Sequence, residues 1–159
     1  MYICNLKLNI KKILTFCLVI AIAITLTLEI IDMNKNDNAV YDYELTSENF
    51  TEVLKDVHNN IDANIGKTIK LSGYVFTLPD FKQNNFVCGR DMMFGGEEKV
   101  VGFLCEYNGN TKIAEAEWVE ITGKIIKGYY MGDMPIIKID SLNKITAPAN
   151  TFVDAPENL

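Results

Sequence analysis

Hydrophobic and polar residues alternate through residues 66–76, whose sequence is GKTIKLSGYVF. Apolar side chains recur at Ile69 and Leu71 before Gly73 and at Tyr74 after it, so the alternation changes phase at the glycine. A period of two predicts a β-strand with one face turned inward. A glycine at a change of phase is typical of a β-bulge or a tight bend. We therefore predict a long strand bent at Gly73, of the kind that a small, strongly curved β-barrel needs.

A helix is predicted ahead of this strand, because apolar residues recur there at helical spacing. The apolar stripe comprises Phe50, Val53, Leu54, Val57 and Ile61. Ser47 or Asn49 supplies a capping side chain at its start. We place the helix over residues 48–60.

Short apolar stretches separated by turn residues predict further strands after the first one. They lie at residues 84–94, 99–107, 118–130, 135–139 and 144–146. The fourth predicted strand contains Gly123, much as the first contains Gly73. Residues 111–116, between the third and fourth strands, have the length of one helical turn. One helix followed by five or six short strands indicates a mainly β protein, either a small five-stranded barrel of the OB type or an open antiparallel sandwich. The bent first strand and the helical turn favour the OB-like barrel.

The N-terminal residues have the pattern of a membrane anchor. Residues 1–12 contain three lysines and no acid, residues 13–28 carry no charge, and acids follow from Glu29 onward. Roughly 20 apolar residues span a bilayer core. Positive charge ahead of such a span places the N-terminus in the cytoplasm. The pattern thus predicts a single-pass cell-membrane protein with its bulk outside the cytoplasm.

The predicted organisation has five parts. They are a cytoplasmic basic tail at 1–12, a transmembrane signal anchor at 13–31, a polar linker at 32–45, the extracytoplasmic domain at 46–153 and a short tail at 154–159. Two alternatives concern the hydrophobic segment: cleavage as a signal peptide after Ala23, and lipidation at Cys17. Cleavage would leave an apolar new N-terminus, and Phe16 rather than a small residue precedes Cys17, so the uncleaved anchor is favoured.

Charge narrows the range of partners. The chain has a net charge of −6. From Leu45 onward it carries 11 basic and 16 acidic residues. Binding to a nucleic-acid backbone needs clustered lysine and arginine, so this acidity disfavours a nucleic acid as the partner.

The second strand carries the most polar insertion of the β region, Arg90-Asp91. Arg90 shares a strand face with Phe86, so it either pairs with an internal acid or marks a contact surface beside aromatic residues. The candidate binding residues are Arg90, Asp91, Phe86 and Trp118.

Cys88 and Cys105 are the two cysteines of the predicted domain, on strands that we expect to be neighbours. A disulfide between them is compatible with an extracytoplasmic location. The alternative is a pair of buried thiols that behave as small apolar residues. The methionines at 92, 93, 131 and 134 would suit copper(I) together with thiols. They lack clustered ligand spacing, however, and we predict neither a metal nor a cofactor.

Catalytic motifs are missing from the sequence. The one histidine, His58, lies just off the helical stripe and has no second histidine or paired acid near it in sequence. Neither a Ser-His-Asp set nor a phosphate-binding or dinucleotide-binding loop can be assembled. We predict that the protein is not an enzyme.

Several short motifs in a fixed order resemble a known family. They are Ile65-Gly66-Lys67, Gly73-Tyr74-Val75-Phe76, Gly89-Arg90, Trp118-Val119 and Phe152-Val153. The order is similar to that of the C-terminal domain of the YcgQ-type family of predicted bacterial permease subunits, over residues 49–153. This resemblance implies an OB-like extracytoplasmic domain on a membrane-bound protein that is encoded beside a permease. Family members commonly carry two transmembrane helices, whereas this chain has one hydrophobic segment. They also commonly carry a Cys-Cys pair after the arginine, at a place where this chain has Phe94-Gly95-Gly96.

The leading functional hypothesis is therefore a membrane-anchored, OB-like binding or accessory module that partners a polytopic, permease-like membrane protein. A metal- or thiol-handling domain built on Cys88 and Cys105 is the first alternative. An OB-fold nucleic-acid binder is the second alternative, and the acidity of the chain opposes it.

Overall fold

A computed structural model of the protein describes residues 39–156. The elements in chain order are β1 (Tyr43–Glu44), α1 (Phe50–Asn59), α2 (Ile61–Asn64), β2 (Thr68–Phe76), β3 (Asn85–Phe94), β4 (Glu97–Glu106), β5 (Trp118–Tyr129), β6 (Asp133–Lys144) and β7 (Phe152–Val153). The predicted cytoplasmic tail, the predicted anchor and residues 32–38 of the predicted linker lie outside the described residues. None of the helices within residues 39–156 is long and apolar enough to cross a membrane.

Five of the strands close into a barrel. Four of the strand pairs are antiparallel: β2 with β3, β2 with β5, β3 with β4, and β5 with β6. The fifth pair, β4 with β6, is parallel and closes the barrel. β1 and β7 are two-residue strands that pair in parallel with β2 and β3. The prediction of a mainly β protein with a small five-stranded barrel is confirmed, and the open sandwich is not formed.

The barrel interior follows the period-two pattern of the strands. In β2, every second residue is buried from Ile69 to Val75. The largest fully buried apolar side chains come from α1 and from β2, β4, β5 and β6 and include Phe50, Phe103, Ile69, Leu71, Ile121, Ile125 and Ile137. The ring of Phe50 on α1 meets that of Phe103 on β4 edge to face, with 6.4 Å between the centroids. The helix therefore packs its apolar stripe against the barrel.

The predicted change of phase at Gly73 is wrong. Gly73 occupies an inward position in an unbroken alternation, and its register with β5 continues through Tyr74 without a shift. Tyr74 looked like a core residue in the sequence because it is aromatic, but it faces outward, where its ring lies 5.8 Å from that of Trp118. The irregularity that we expected at Gly73 occurs instead at the second glycine, where the β5–β6 register shifts between Thr122 and Gly123.

Gly73 allows the barrel to close. A Cβ atom at this position would lie 2.5 Å from the carbonyl oxygen of Gly89 and 3.0 Å from the Sγ of Cys88, both on β3. The next residue, Tyr74, is the first residue of β2 that pairs with β3. The glycine is thus required by the close approach of two strands rather than by a bend.

Three local predictions need correction. Residues 111–116 form an irregular loop with a turn, because Glu115 and Glu117 hold it by hydrogen bonds to Thr77 and Ala114 instead of a helical ladder. The two predicted last strands are one strand, β6, because the polar residues after position 139 pair through their backbone with β5. The end of the predicted linker is also ordered, since Tyr43–Glu44 forms β1.

The predicted helix begins at Phe50, and Asn49 is its N-cap residue. The Asn49 side chain does not bond to the helix. Its Oδ1 accepts from the backbone N–H of Thr46 at 2.8 Å, and its Nδ2 donates to the carbonyl oxygen of Glu44 at 3.0 Å. The residue therefore ties β1 to the start of α1 instead of capping the helix with its side chain.

Candidate functional site

Arg90, the only arginine of the chain, is 5% exposed. Its Nε donates to the carbonyl oxygen of Thr151 at 3.0 Å and its Nη2 to that of Asn150 at 3.0 Å. The guanidinium carbon lies 5.2 Å from the centre of the Trp118 ring. Burial lowers the pKa of Arg90. The usual pKa of a guanidinium is so far above neutral pH that the group stays charged.

Asp91 and Trp118 belong to the same cluster through Tyr74. The hydroxyl of Tyr74 donates to Oδ1 of Asp91 at 2.6 Å, and the Tyr74 ring lies edge to face against Trp118. Burial raises the pKa of Tyr74 well above its usual value, and the bond to Asp91 adds to the shift. Arg90, Asp91 and Trp118 are thus brought together, as the hypothesis of one contact site requires, and Tyr74 completes the group.

Neither predicted role of Arg90 describes what its guanidinium does. Its hydrogen bonds go to backbone carbonyls of the C-terminal segment, and not to an acid or to a free surface. The same segment forms β7 beside β3, with Phe152 opposite Asp91. Thr51 on α1 holds it from the other side by donating to the carbonyl oxygen of Asp154 at 2.7 Å. The cluster is therefore a clamp that fixes the C-terminal strand to the barrel, which we call the Arg90 clamp.

The fourth candidate residue, Phe86, is not part of the clamp. It is buried, and it lies opposite Cys105 on β4. Sequence reasoning grouped it with Arg90 because the two share a face of β3, but four residues of an extended strand separate them by about 13 Å.

Cys88 and Cys105 are free thiols in the barrel interior. They lie on adjacent strands but not face to face, because Cys88 is opposite Phe103 and Cys105 is opposite Phe86. Diagonal neighbours across an antiparallel pair are about 7–8 Å apart, and a disulfide needs Cα atoms within about 7 Å. The candidate disulfide is not formed, and the alternative of two buried apolar thiols describes the pair.

We expect these thiols to resist alkylation while the protein is folded. Burial raises the pKa of Cys88 to about 12 and that of Cys105 well above its usual value, and the thiolate is the reactive form. With N-ethylmaleimide at pH 8, peptides carrying Cys88 and Cys105 should react at least about 100-fold more slowly in the native chain than in urea. Peptide mass mapping measures both rates, and a disulfide-linked pair of these peptides from native protein would contradict the assignment.

One groove lies where the loop between β2 and β3 meets the loop between β4 and β5, and we call it the amide groove. Its volume is about 720 Å³. Uncharged polar side chains dominate it: Thr77, Gln83, Asn84, Asn85, Asn110 and Thr111. Tyr107 and Ile113, both partly exposed, supply apolar surface, and the buried Val75 and Phe86 lie behind the groove. Among the described residues, Oδ1 of Asn85 is a buried side-chain oxygen without a hydrogen-bond partner.

A second groove, which we call the hairpin groove, lies between α1 and the β3–β4 hairpin and has a volume of about 670 Å³. Leu54 and His58 of α1 line one side, Phe94, Val100 and Val101 of the hairpin the other, and Pro156 also borders it. His58 is held in place by a contact of 2.8 Å between its Nδ1 and the carbonyl oxygen of Leu54.

Sequence reasoning did not find the two grooves, although both contain residues with a visible signal. Asn84-Asn85 opens the predicted strand at 84–94, and residues 108–111 follow the predicted strand at 99–107; both stretches are rich in amide and hydroxyl side chains. Phe94 is an aromatic residue directly before the Gly95-Gly96 turn. Within residues 39–156, His, Cys, Asp and Glu side chains form no group of three or more that could hold a metal ion.

These features define a small closed β-barrel domain with a clamped C-terminal strand and two surface grooves. The chain belongs to the family of the DUF1980 C-terminal domain, which matches residues 25–154. It is 25% identical over 117 residues to the UPF0703 protein YcgQ of Bacillus subtilis (strain 168). This assignment confirms the resemblance seen in the sequence. The alignment covers 69% of this chain but 40% of that relative, so the chain spans well under two thirds of its length.

Among solved structures, the dimeric N-terminal domain of the PriB protein from Thermoanaerobacter tencongensis aligns with 50% of this chain and 96% of its own. The identity is 16% and the TM-score 0.35, a similarity too low to inform the fold or the function.

Proposed function

We propose that the chain is a membrane-anchored, extracytoplasmic module of the OB type that binds a permease-like membrane protein as an accessory subunit and is not itself an enzyme. The charge pattern of residues 1–31 supports the anchor and its orientation. Membership of the family supports the accessory role, since the resemblance implies a permease as the neighbour.

The order of the barrel strands supports the OB type. Around the barrel the order is β2, β3, β4, β6, β5. Counted along the chain, the first barrel strand (β2) pairs with the second (β3) and the fourth (β5), and the third (β4) pairs in parallel with the fifth (β6). This is the Greek-key arrangement of a five-stranded OB barrel.

The hairpin groove carries the proposal of a protein partner. Beyond Gly89, β3 no longer pairs with β2, so the end of the β3–β4 hairpin extends past the barrel wall. Large apolar side chains are exposed there: Met93 by 51%, Phe94 by 43% and Val100 by 48%. Large exposed apolar side chains beside a groove are typical of a protein-binding site, and methionine and phenylalanine are enriched at the centres of such sites.

The test is co-purification of the full chain from its native membrane in a mild detergent. We expect a polytopic membrane protein to be recovered with it in a stable ratio, and the double variant Phe94→Ser, Val100→Ser to lose at least about 90% of that protein, since hot-spot truncations each cost about 2 kcal/mol or more.

Met131→Ser is the matched control, because Met131 is an exposed apolar residue of the β5–β6 turn and does not border the hairpin groove. It should leave recovery unchanged. Recovery of the wild-type chain alone and monomeric, or equal losses from both variants, would contradict the proposal.

The two other functional hypotheses gain no support from the described residues. Thiol or metal handling needs accessible thiolates, whereas Cys88 and Cys105 are fully buried with raised pKa values. Nucleic-acid binding needs a basic surface, whereas the lysines of the barrel are interspersed with acids, as in the pairs Lys70–Glu120 and Lys144–Glu117.

A further inference from the structure

We propose that the amide groove is a second binding site, one that takes an uncharged polyhydroxylated molecule, that is, a sugar. The groove shares no lining residue with the hairpin groove. This inference therefore goes beyond the accessory role and does not depend on it.

Recognition in this groove falls to side chains, because the strand backbone around it is already paired. The N–H of Val75 donates to the carbonyl of Glu117, and the carbonyl of Val75 accepts from Ala116. The N–H of Tyr107 donates to the carbonyl of Asn84. An extended peptide that adds to a sheet edge needs free backbone groups, and these strands do not present them here.

The charges of the groove select against an ionic ligand. Its charged residues are one lysine, Lys112, and one acid, Glu115. The Glu115 carboxylate is already used, because it accepts from the backbone N–H of Thr77 at 3.2 Å and from the Thr77 hydroxyl at 2.5 Å. A phosphate or carboxylate ligand would therefore find a single lysine as its ionic partner. A cation would find a carboxylate that is already hydrogen-bonded to Thr77.

Amide side chains suit the hydroxyl groups of a sugar. Each carries an acceptor oxygen and two donor hydrogens, and each hydroxyl both donates and accepts. Gln83, Asn84, Asn85 and Asn110 place four such amides around one groove. The partly exposed side chains of Tyr107 and Ile113 offer apolar surface for the C–H face of a pyranose ring.

Asn85 gives independent evidence of an unmet hydrogen bond. Its Oδ1 is buried and has no partner among the described residues, whereas buried polar groups in proteins are nearly always paired. An amide turned the other way would leave a donor unpaired in the same place. A ligand hydroxyl that reaches this buried atom, after a small shift of the side chains covering it, satisfies either arrangement.

The walls of the groove are held in advance of binding. Glu115 ties one loop to the end of β2, and Nδ2 of Asn84 donates to Oδ1 of Asn108 at 2.9 Å across the two loops. Ala116 adopts a left-handed backbone with φ of 62°, which fixes the exit of the loop into β5. Such preorganisation reduces the entropy lost on binding, and a volume of about 720 Å³ accepts a mono- or disaccharide.

The test uses the full chain, labelled with nitrogen-15 and purified in a detergent without a sugar headgroup, such as a zwitterionic amine oxide. The probes are glucose, N-acetylglucosamine and maltose, with inorganic phosphate and trialanine as comparison ligands. We expect saturable shifts of the side-chain amide resonances of Asn85 and Asn110 with at least one sugar, and none with phosphate or trialanine.

Asn85→Ala and Asn110→Ala should each weaken sugar binding at least tenfold. The matched control is Asn143→Ala, an exposed asparagine on β6 outside the groove, which should bind as the wild type does. If Asn85→Ala fails to fold, Asn110→Ala decides the question, because Asn110 lies in an exposed loop. The proposal is overturned if no sugar binds, if phosphate or the peptide binds in preference, or if both groove variants retain wild-type affinity.

Discussion

Gly73→Val lowers the free energy of unfolding of the domain by about 3 kcal/mol, at the upper end of what overpacking costs. The first atom of any side chain at this position would sit 2.5 Å from the carbonyl oxygen of Gly89. That oxygen belongs to the backbone of the neighbouring strand and cannot rotate away, so β2 and β3 must separate where they close the barrel. Thermal unfolding followed by circular dichroism should show Tm falling by roughly 10–20 °C.

Ser72→Val is the control for this variant. Ser72 is the preceding residue of β2 and faces the other side of the strand, opposite Glu120. A β-branched residue is well accepted in a strand, so we expect a change within about 0.5 kcal/mol. A Gly73→Val protein that keeps the wild-type Tm would show that β2 and β3 do not approach each other as described.

Arg90→Met releases the C-terminal strand and lowers the free energy of unfolding by about 3 kcal/mol, because it removes the two charge-assisted hydrogen bonds to the carbonyls of Asn150 and Thr151. Methionine fills similar space, so the loss reports the hydrogen bonds more than the packing. Limited proteolysis should cut the segment after Lys144 well before the barrel is attacked.

The conservative variant Arg90→Lys separates charge from geometry. A lysine keeps the positive charge but not the planar fork that reaches two adjacent carbonyls, so we expect about half of the destabilisation. Lys138→Met, which removes an exposed cation from β6, should change stability by less than about 0.5 kcal/mol. Equal stability of the Arg90→Met and wild-type proteins, with equal protease resistance of the C-terminal segment, would contradict the clamp.

The elements of the fold were predictable because each rests on a local pattern. Period-two alternation marked β2, and helical spacing marked α1, since burial of one face imposes these periods on any sequence. The position of Gly73 was misinterpreted for the same reason. A pattern of apolar residues cannot distinguish Tyr74, which packs on the outside against Trp118, from Val75, which packs inside.

The candidate site was predicted less well because its contacts are distant in sequence. Arg90 was recognised as unusual from its place in an apolar strand, but its partners are carbonyl oxygens 60 and 61 residues away. Every residue carries a carbonyl group, so no residue type signals such a partner. The amide groove likewise forms only when two loops meet, and each loop alone has the composition of an ordinary turn.

We expect the short strand β7 to limit strand pairing between copies of this protein. Where β3 leaves the barrel wall, its outward backbone groups at Asp91 and Met92 would form an open sheet edge beside the apolar side chains of Met93 and Phe94. Open edges next to apolar residues invite strand pairing between molecules and, from there, aggregation. β7 occupies that edge, and the Arg90 clamp keeps it there. The C-terminal strand thus covers a backbone edge while the apolar side chains of the hairpin stay exposed.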